Sequence, residues 1–137
     1  MGKKIFTWAI VLLILSFIFA LLFYNDFNPV KISAVELAKD YSTDKAAADK
    51  KYLDKTIIIN GSVKAYYKLL GTRRVLELNT GDTGVPLICF FLSEKEEYEA
   101  SQLQEGQHII IKGKCTGEDS YSFVKGIKIE VGDVVNN

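Results

Sequence analysis

The sequence predicts a mainly β chain with helices: a five-stranded barrel preceded by a transmembrane helix and two short helices, with one further helix between strands three and four. Three stretches carry that reading. Ile5 to Tyr24 (IFTWAIVLLILSFIFALLFY) contains no charged residue, and about twenty apolar positions suffice for a helix to cross a ~30 Å hydrocarbon core. Thr56 to Lys68 (TIIINGSVKAYYK) alternates apolar and polar residues over an unusual length, with Gly61 at its midpoint, so the strand can bend there and pair with different neighbours on either side. Gln107 to Thr116 (QHIIIKGKCT) repeats that logic, with Gly113 in the place of Gly61.

In chain order, the apolar run has Lys3 and Lys4 before it and Asn25 and Asp26 after it, with Trp8 and Tyr24 suited to the two interfaces. This asymmetry predicts a single pass with the N-terminus in the cytoplasm and the rest outside it. A cleaved signal peptide has a shorter apolar core followed by a small-x-small site, and neither is present. No cysteine follows the run, which excludes a lipoprotein anchor. The expected organisation is an anchor over 1–25, a linker over 26–32 containing Pro29, and an extracytoplasmic domain over 33–137.

Ser33 and Glu36 have the spacing of a capping box, and Ala34, Leu37, Ala38 and Tyr41 then recur on one helical face. A second short helix is expected from Asp44 to Leu53, with Ala48 and Tyr52 one turn apart. In the strand that follows, Ile57, Ile59, Gly61, Val63 and Ala65 are expected inward, and Asn60, Ser62, Lys64, Tyr66 and Lys68 outward. Gly71 marks the next turn. Arg73 to Asn79 is the second strand and Thr80 to Gly84 a turn. In the third strand, Val85 to Leu92, Leu87, Cys89 and Phe91 face in while Ile88 and Phe90 project outward as a candidate interaction patch. Ser93 and Glu96 form another capping box, opening a helix to about Gln104. The fourth strand follows Gly106, and Tyr121 to Val135 supplies the fifth strand and a polar tail.

This order of strands and helix matches an oligonucleotide/oligosaccharide-binding (OB) fold, in which the first strand pairs with both the second and the fourth. Over roughly 35–135 the chain also resembles a bacterial family of tRNA anticodon-binding-like OB proteins. The residues that carry the resemblance are Leu37 and Tyr41, then Ala48, Tyr52 and Lys55 leading into Ile57, Ile59, Gly61 and Val63. Cys89 with Phe91 and, later, Leu103, Gly106, Gln107, Ile111, Gly113 and Cys115 continue it. Many relatives have a further cysteine in the last strand, whereas Ile127 to Val131 contains none. Relatives are anchored by a lipoprotein signal or a hydrophobic N-terminus, and this chain has the second. The resemblance implies an OB fold at a membrane, in a family without an established enzymatic activity.

The composition argues against a polyanion partner. Apart from Lys3 and Lys4, the chain has 15 basic and 17 acidic residues, so no global field draws it to nucleic acid. Cys89 and Cys115 are the only cysteines. Outside the cytoplasm they could pair, closing a loop of about 26 residues worth roughly 3 kcal/mol on the chain-entropy model. Each reads equally as a small buried apolar residue. His108, the sole histidine, reads as an exposed residue at a strand start. No phosphate loop, no GxSxG and no metal-ligand spacing occurs. No catalytic residue, metal site or cofactor is therefore expected.

OB barrels commonly take ligands across strands two and three, framed by the loops after strands one and four. Tyr66, Lys68, Arg73, Arg74, Tyr121 and Lys125 are the candidate ligand residues there, with Tyr67 and Phe123 beside them, because aromatic faces stack on rings and cations attract phosphates or carboxylates. The leading expectation is a non-catalytic, membrane-tethered binding module of the cell envelope with a glycan, peptide or small anion as ligand. The alternative is a structural domain docking another envelope protein through Ile88 and Phe90. Single-stranded nucleic acid is the least favoured partner.

Overall fold

The computed structural model describes residues 2–69, 73–119 and 124–136. Helix α1 (Gly2–Phe27) contains a Gly2–Leu22 segment of mean hydropathy 2.8 with none of its most apolar window buried against the rest of the chain. It is long and apolar enough to span a membrane. Trp8 near its start is exposed, while the side chain of Tyr24 lies outside the described residues.

After α1 come strand β1 (Val30–Ser33), helices α2 (Ala34–Thr43) and α3 (Lys45–Tyr52), and the long strand β2 (Thr56–Leu69). Strand β3 (Arg73–Leu78), a single 3₁₀ turn (Gly81–Thr83) and strand β4 (Leu87–Phe91) lead to helix α4 (Glu94–Ser101). Strands β5 (His108–Asp119) and β6 (Gly126–Asn136) complete the chain. The sheet runs β1-β2-β3-β4-β6-β5 and closes through β2–β5, with β4 and β6 parallel. The barrel proper is therefore β2 to β6, five strands with α4 between the third and fourth, as the pattern of alternating segments predicts. Strand β1 was not expected: the end of the stretch read as a polar linker lies parallel against β2, Val30 opposite Ile57 and Ser33 opposite Asn60. Four residues flanked by Pro29 and a helix cap are too short a run to show period two.

β2 changes partners where its glycine sits. Thr56 to Ser62 pair with β5, and Val63 to Leu69 pair with β3. At Gly61 an added Cβ would stand 3.0 Å from the Ala34 Cβ, so the missing side chain lets the start of α2 lie close against the strand. Gly113 is tighter still, since a Cβ there would fall 2.5 Å from the Glu130 carbonyl oxygen. Ile57, Ile59, Ile109, Ile111 and Ile129 are wholly buried inside the barrel. Leu37, Ala38 and Tyr41 of α2 join the same core, as their helical spacing requires.

Both expected N-caps form. Ser33 Oγ accepts from the Glu36 backbone N–H at 3.1 Å, and the Glu36 carboxylate accepts in return from the Ser33 N–H at 3.2 Å. These bonds hold the Glu36 carboxyl below its usual value, the Ser33 hydroxyl contributing most. Ser93 Oγ caps α4 by accepting from the Glu96 N–H at 3.5 Å, but the expected box is not completed by a return bond to the Glu96 carboxylate, and the helix ends at Ser101 rather than near Gln104. Asp40 joins the two N-terminal helices, accepting from the Tyr52 hydroxyl at 2.6 Å and from Lys51 at 3.1 Å.

Candidate functional site

One residue of extra backbone decides where the candidate ligand residues go. A bulge between Val63 and Ala65 shifts the register of β2 against β3, which inverts the inside–outside alternation of everything after it. Ala65 therefore does not continue the inward row. Tyr66 turns to the core side instead of outward: it packs against the core, its ring 6.4 Å from that of Phe91, and its hydroxyl donates to the Glu97 carbonyl at 3.3 Å. Tyr67 takes the outer face.

The candidate set is consequently split in two. On the core side, Arg74 lies over the Tyr66 ring at 5.8 Å and beside Glu97 of α4 at 3.8 Å. With Glu94, Tyr98 and Ser101 they line a shallow hollow. Lys68 is opposite Arg74 and exposed. On the outer face, Arg73 lies over the Phe90 ring at 5.8 Å, and Lys125 borders a small depression with Tyr67, Glu77, Ile88 and Val124. Tyr121 and Phe123 lie outside the described residues, as does Gly71.

Strand register makes the outer face explicit. One row reads Tyr67, Val75, Phe90, Glu130, and the next Ala65, Glu77, Ile88, Lys128. Val75 is wholly buried and Ile88 is 2% exposed, although both point away from the barrel core. The expected open patch at Ile88 is thus absent, because neighbouring side chains of the same face, Tyr67 and Glu77 among them, close over it. Phe90 remains half-buried under Arg73. Leu92, just before α4, and Tyr98, within it, are each 68% exposed, and the alternation pattern singles out neither.

The charges on the outer face are mostly satisfied internally. Lys64 binds Glu77 at 2.7 Å and Lys128 binds Asp119 at 2.7 Å. Burial raises the Tyr67 phenol, and the negative charge of the Glu77 carboxylate raises it further. Among the described residues Arg73 and Lys125 enter no ion pair, so they are the cations of this face that remain available to an anion.

Cys89 and Cys115 are free thiols, buried on strands either side of β6. Both are in register with Ile129, so two strand spacings, about 10 Å, separate their backbones. A disulfide needs Cα atoms about 4.4–6.8 Å apart, and the possible bridge does not form. Burial pushes both thiols up, and Cys115 has the Tyr41 hydroxyl at 3.6 Å. His108 is exposed at the first position of β5. Among the described residues no group of three or more His, Cys, Asp or Glu side chains is placed to hold a metal.

A closed Greek-key barrel with an exposed strand face between two connections is the architecture of an OB-fold binding domain. The chain belongs to the tRNA_anti-like family, whose model matches residues 1–126. Among solved structures it is similar to a protein described as an aspartyl-tRNA synthetase of Leishmania major, at TM-score 0.53 and 14% identity over 78% of this chain. It spans only 20% of that protein's chain, so the likeness is one of fold. An OBody bound to hen egg-white lysozyme is similar at TM-score 0.49 and 13% identity over 75% of this chain and 88% of its own. The S. pombe Stn1–Ten1 complex gives 0.44 and 16% over 60% of this chain and 57% of its own. No curated protein matches the chain in sequence.

Proposed function

We propose that this chain is a non-catalytic binding module, tethered to a membrane by α1 with its barrel outside the cytoplasm, that takes an anionic envelope ligand on the outer face of β3 and β4. The observation that carries this reading is the placement of two cations that enter no ion pair among the described residues, Arg73 and Lys125, beside the Phe90 and Tyr67 rings. They flank the segments 70–72 and 120–123, the two connections at which OB folds commonly meet ligands. Carboxylates or phosphates of a glycan or peptide would meet the cations, and its flat or apolar parts the rings. The core-side pair Tyr66 and Arg74 is a less suitable ligand site, since both are already engaged with α4. The near-neutral balance of 17 basic and 17 acidic residues argues against nucleic acid.

The test is binding of the detergent-solubilised full chain to arrays of envelope glycans and acidic peptides. Arg73→Ala with Lys125→Ala should weaken capture by about tenfold, the order expected for a lost charge-assisted contact, with the melting temperature unchanged. Unaltered capture by the double variant would overturn the site. Carbonate extraction of cell membranes checks the tether, and protease shaving of intact cells checks the side on which the barrel lies.

A further inference from the structure

Helix α1 and strand β1 are separated by Asn28 and Pro29 alone. Two residues reach at most about 10 Å from the helix end to the strand. If α1 spans a bilayer, as the proposed function holds, the barrel has no room to drift away from it: its β1 side lies within about one Debye length of the headgroups.

The exposed charges carried by β1, by the 56–62 half of β2 and by the stretch of β5 that faces it are all lysines. Across β1, β2 and β5 one outward row reads Lys31, Ile58, Lys112, and the next contains Thr56 and Lys114. Lys31, Lys112 and Lys114 are exposed. From Thr56 to Ser62, β2 has no charged residue at all. The turn before it adds Lys55 and the one acid of this region, Asp54, which stands 3.9 Å from Lys114. Lys31 and Lys112 enter no ion pair among the described residues. Acids resume only on β6, where Asp133 and Glu130 are exposed opposite Lys112 and Lys114. Lys112 and Lys114 also border a hollow of mixed charge, where Lys95 and the exposed Leu92 meet Glu96, Glu130 and Asp133.

We infer that this β1–β2–β5 face is a docking surface for anionic lipid headgroups, which holds the barrel against the bilayer and leaves the β3–β4 face, on the other side of the barrel, turned away from it. The inference rests on the proposed anchoring. Basic residues beside a membrane span gain from a negative leaflet surface, each independently and over a short range. A tether of two residues keeps these lysines inside that range, whereas a long flexible linker would not. The partner is the lipid surface the chain is already attached to, rather than a second protein.

The experiment is lysine acetylation footprinting, read by mass spectrometry, on the full chain in nanodiscs of phosphatidylcholine with or without about a third phosphatidylglycerol. Lys31, Lys112 and Lys114 should be acetylated about threefold more slowly in the anionic discs. Lys64 and Lys125 on the far side should label equally in both, and the protection should vanish in ~1 M salt. The charge-reversed Lys112→Glu/Lys114→Glu variant, altered only at exposed positions, should lose the lipid dependence at Lys31 too. Equal labelling of Lys112 in the two lipids, with the protein still resistant to carbonate extraction, would overturn the docking surface and leave the tether intact. Extraction by carbonate would overturn the tether and the docking surface together. Protection in zwitterionic discs on adding a soluble anionic glycan, without any lipid dependence, would assign the face to a glycan instead and overturn the lipid reading.

Discussion

From Thr56 to Ser62, β2 pairs with β5, from Ile57 to Asn60 it pairs with β1 on its other edge as well, and its inward isoleucines are wholly buried. From Val63 to Leu69 it pairs with β3, its register is broken by a bulge, and no side chain after Val63 is fully buried. The same strand thus has a structural half and a surface half. A side chain in the first half is surrounded by barrel core and two neighbouring strands, and changing it disturbs all of them. In the second half the bulge deals the side chains alternately to α4 and to the open outer face, where a substitution touches few neighbours. A buried half and a surface half, the second bordering the proposed ligand face, are thus joined along one continuous strand, with the glycine and the bulge at the boundary.

That separation is broken if removing bulk from the first half costs little. Ile59 lies between Ile32 and Ile111 and is wholly buried. Ile59→Ala should lose about 4 kcal/mol, the lost transfer energy plus an unfilled cavity, measured by urea denaturation of the solubilised chain. Gly113→Ala should cost about 3 kcal/mol, because the new methyl meets the Glu130 backbone at 2.5 Å and Ile129 at 2.8 Å with no flexible side chain to yield. Gly132→Ala is its control. The nearest atom there is the Lys112 carbonyl oxygen at 3.9 Å, and the change should stay within about 0.5 kcal/mol. Equal losses for the two glycines would show that close strand approach is not what Gly113 provides.

The first half was also the more legible in the sequence. TIIING and IIIKG announce two strands whose apolar faces must meet, and they do so in register, Ile59 opposite Ile111. The caps at Ser33 and Ser93 were equally plain, since a hydroxyl three residues before a glutamate satisfies the helix end locally. The second half was misread because alternation has no memory of a bulge. A single extra residue moves Tyr66 inward and Tyr67 outward, and nothing in KAYYK marks the slip. The outer-face burial of Ile88 was invisible for a related reason, since it depends on Tyr67, Glu77, Val124 and Lys125, which gather around it from other parts of the chain. Strand β1 was missed because so short a pairing follows from the place where α2 begins, and four residues show no period of their own.

A smaller effect sharpens the comparison from the helical side. Tyr52 is wholly buried, and its hydroxyl donates to Asp40 at 2.6 Å. That bond is the largest of the influences that depress the Asp40 carboxyl. Tyr52→Phe should cost about 1 kcal/mol near neutral pH. A carboxyl whose folded pKa is depressed stabilises the fold above its unfolded value and stops doing so as pH falls through the folded one. The gap between wild type and Tyr52→Phe should therefore narrow as acid takes the solution below the ordinary Asp value of 3.8. A gap that widened in acid would mean that Asp40 is not the partner that matters.

The least disturbance is expected at Arg73, and it bears most directly on the division of β2 and its neighbours into two roles. Its guanidinium lies over the Phe90 ring at 5.8 Å, and the side chain is exposed with no ion pair among the described residues. Exposed cation–π contacts are worth about 0.5–1 kcal/mol at most, and the unfolded chain regains the entropy of a long side chain when it is released. Arg73→Ala should therefore shift the unfolding free energy by no more than about 0.5 kcal/mol while weakening capture of an anionic ligand. Arg74→Ala, which loses its contacts with Tyr66 and Glu97, should show the opposite bias, with stability reduced and capture kept. If both arginines affected stability and capture alike, the bulge would not divide two functions, and the outer face would be only another part of the scaffold.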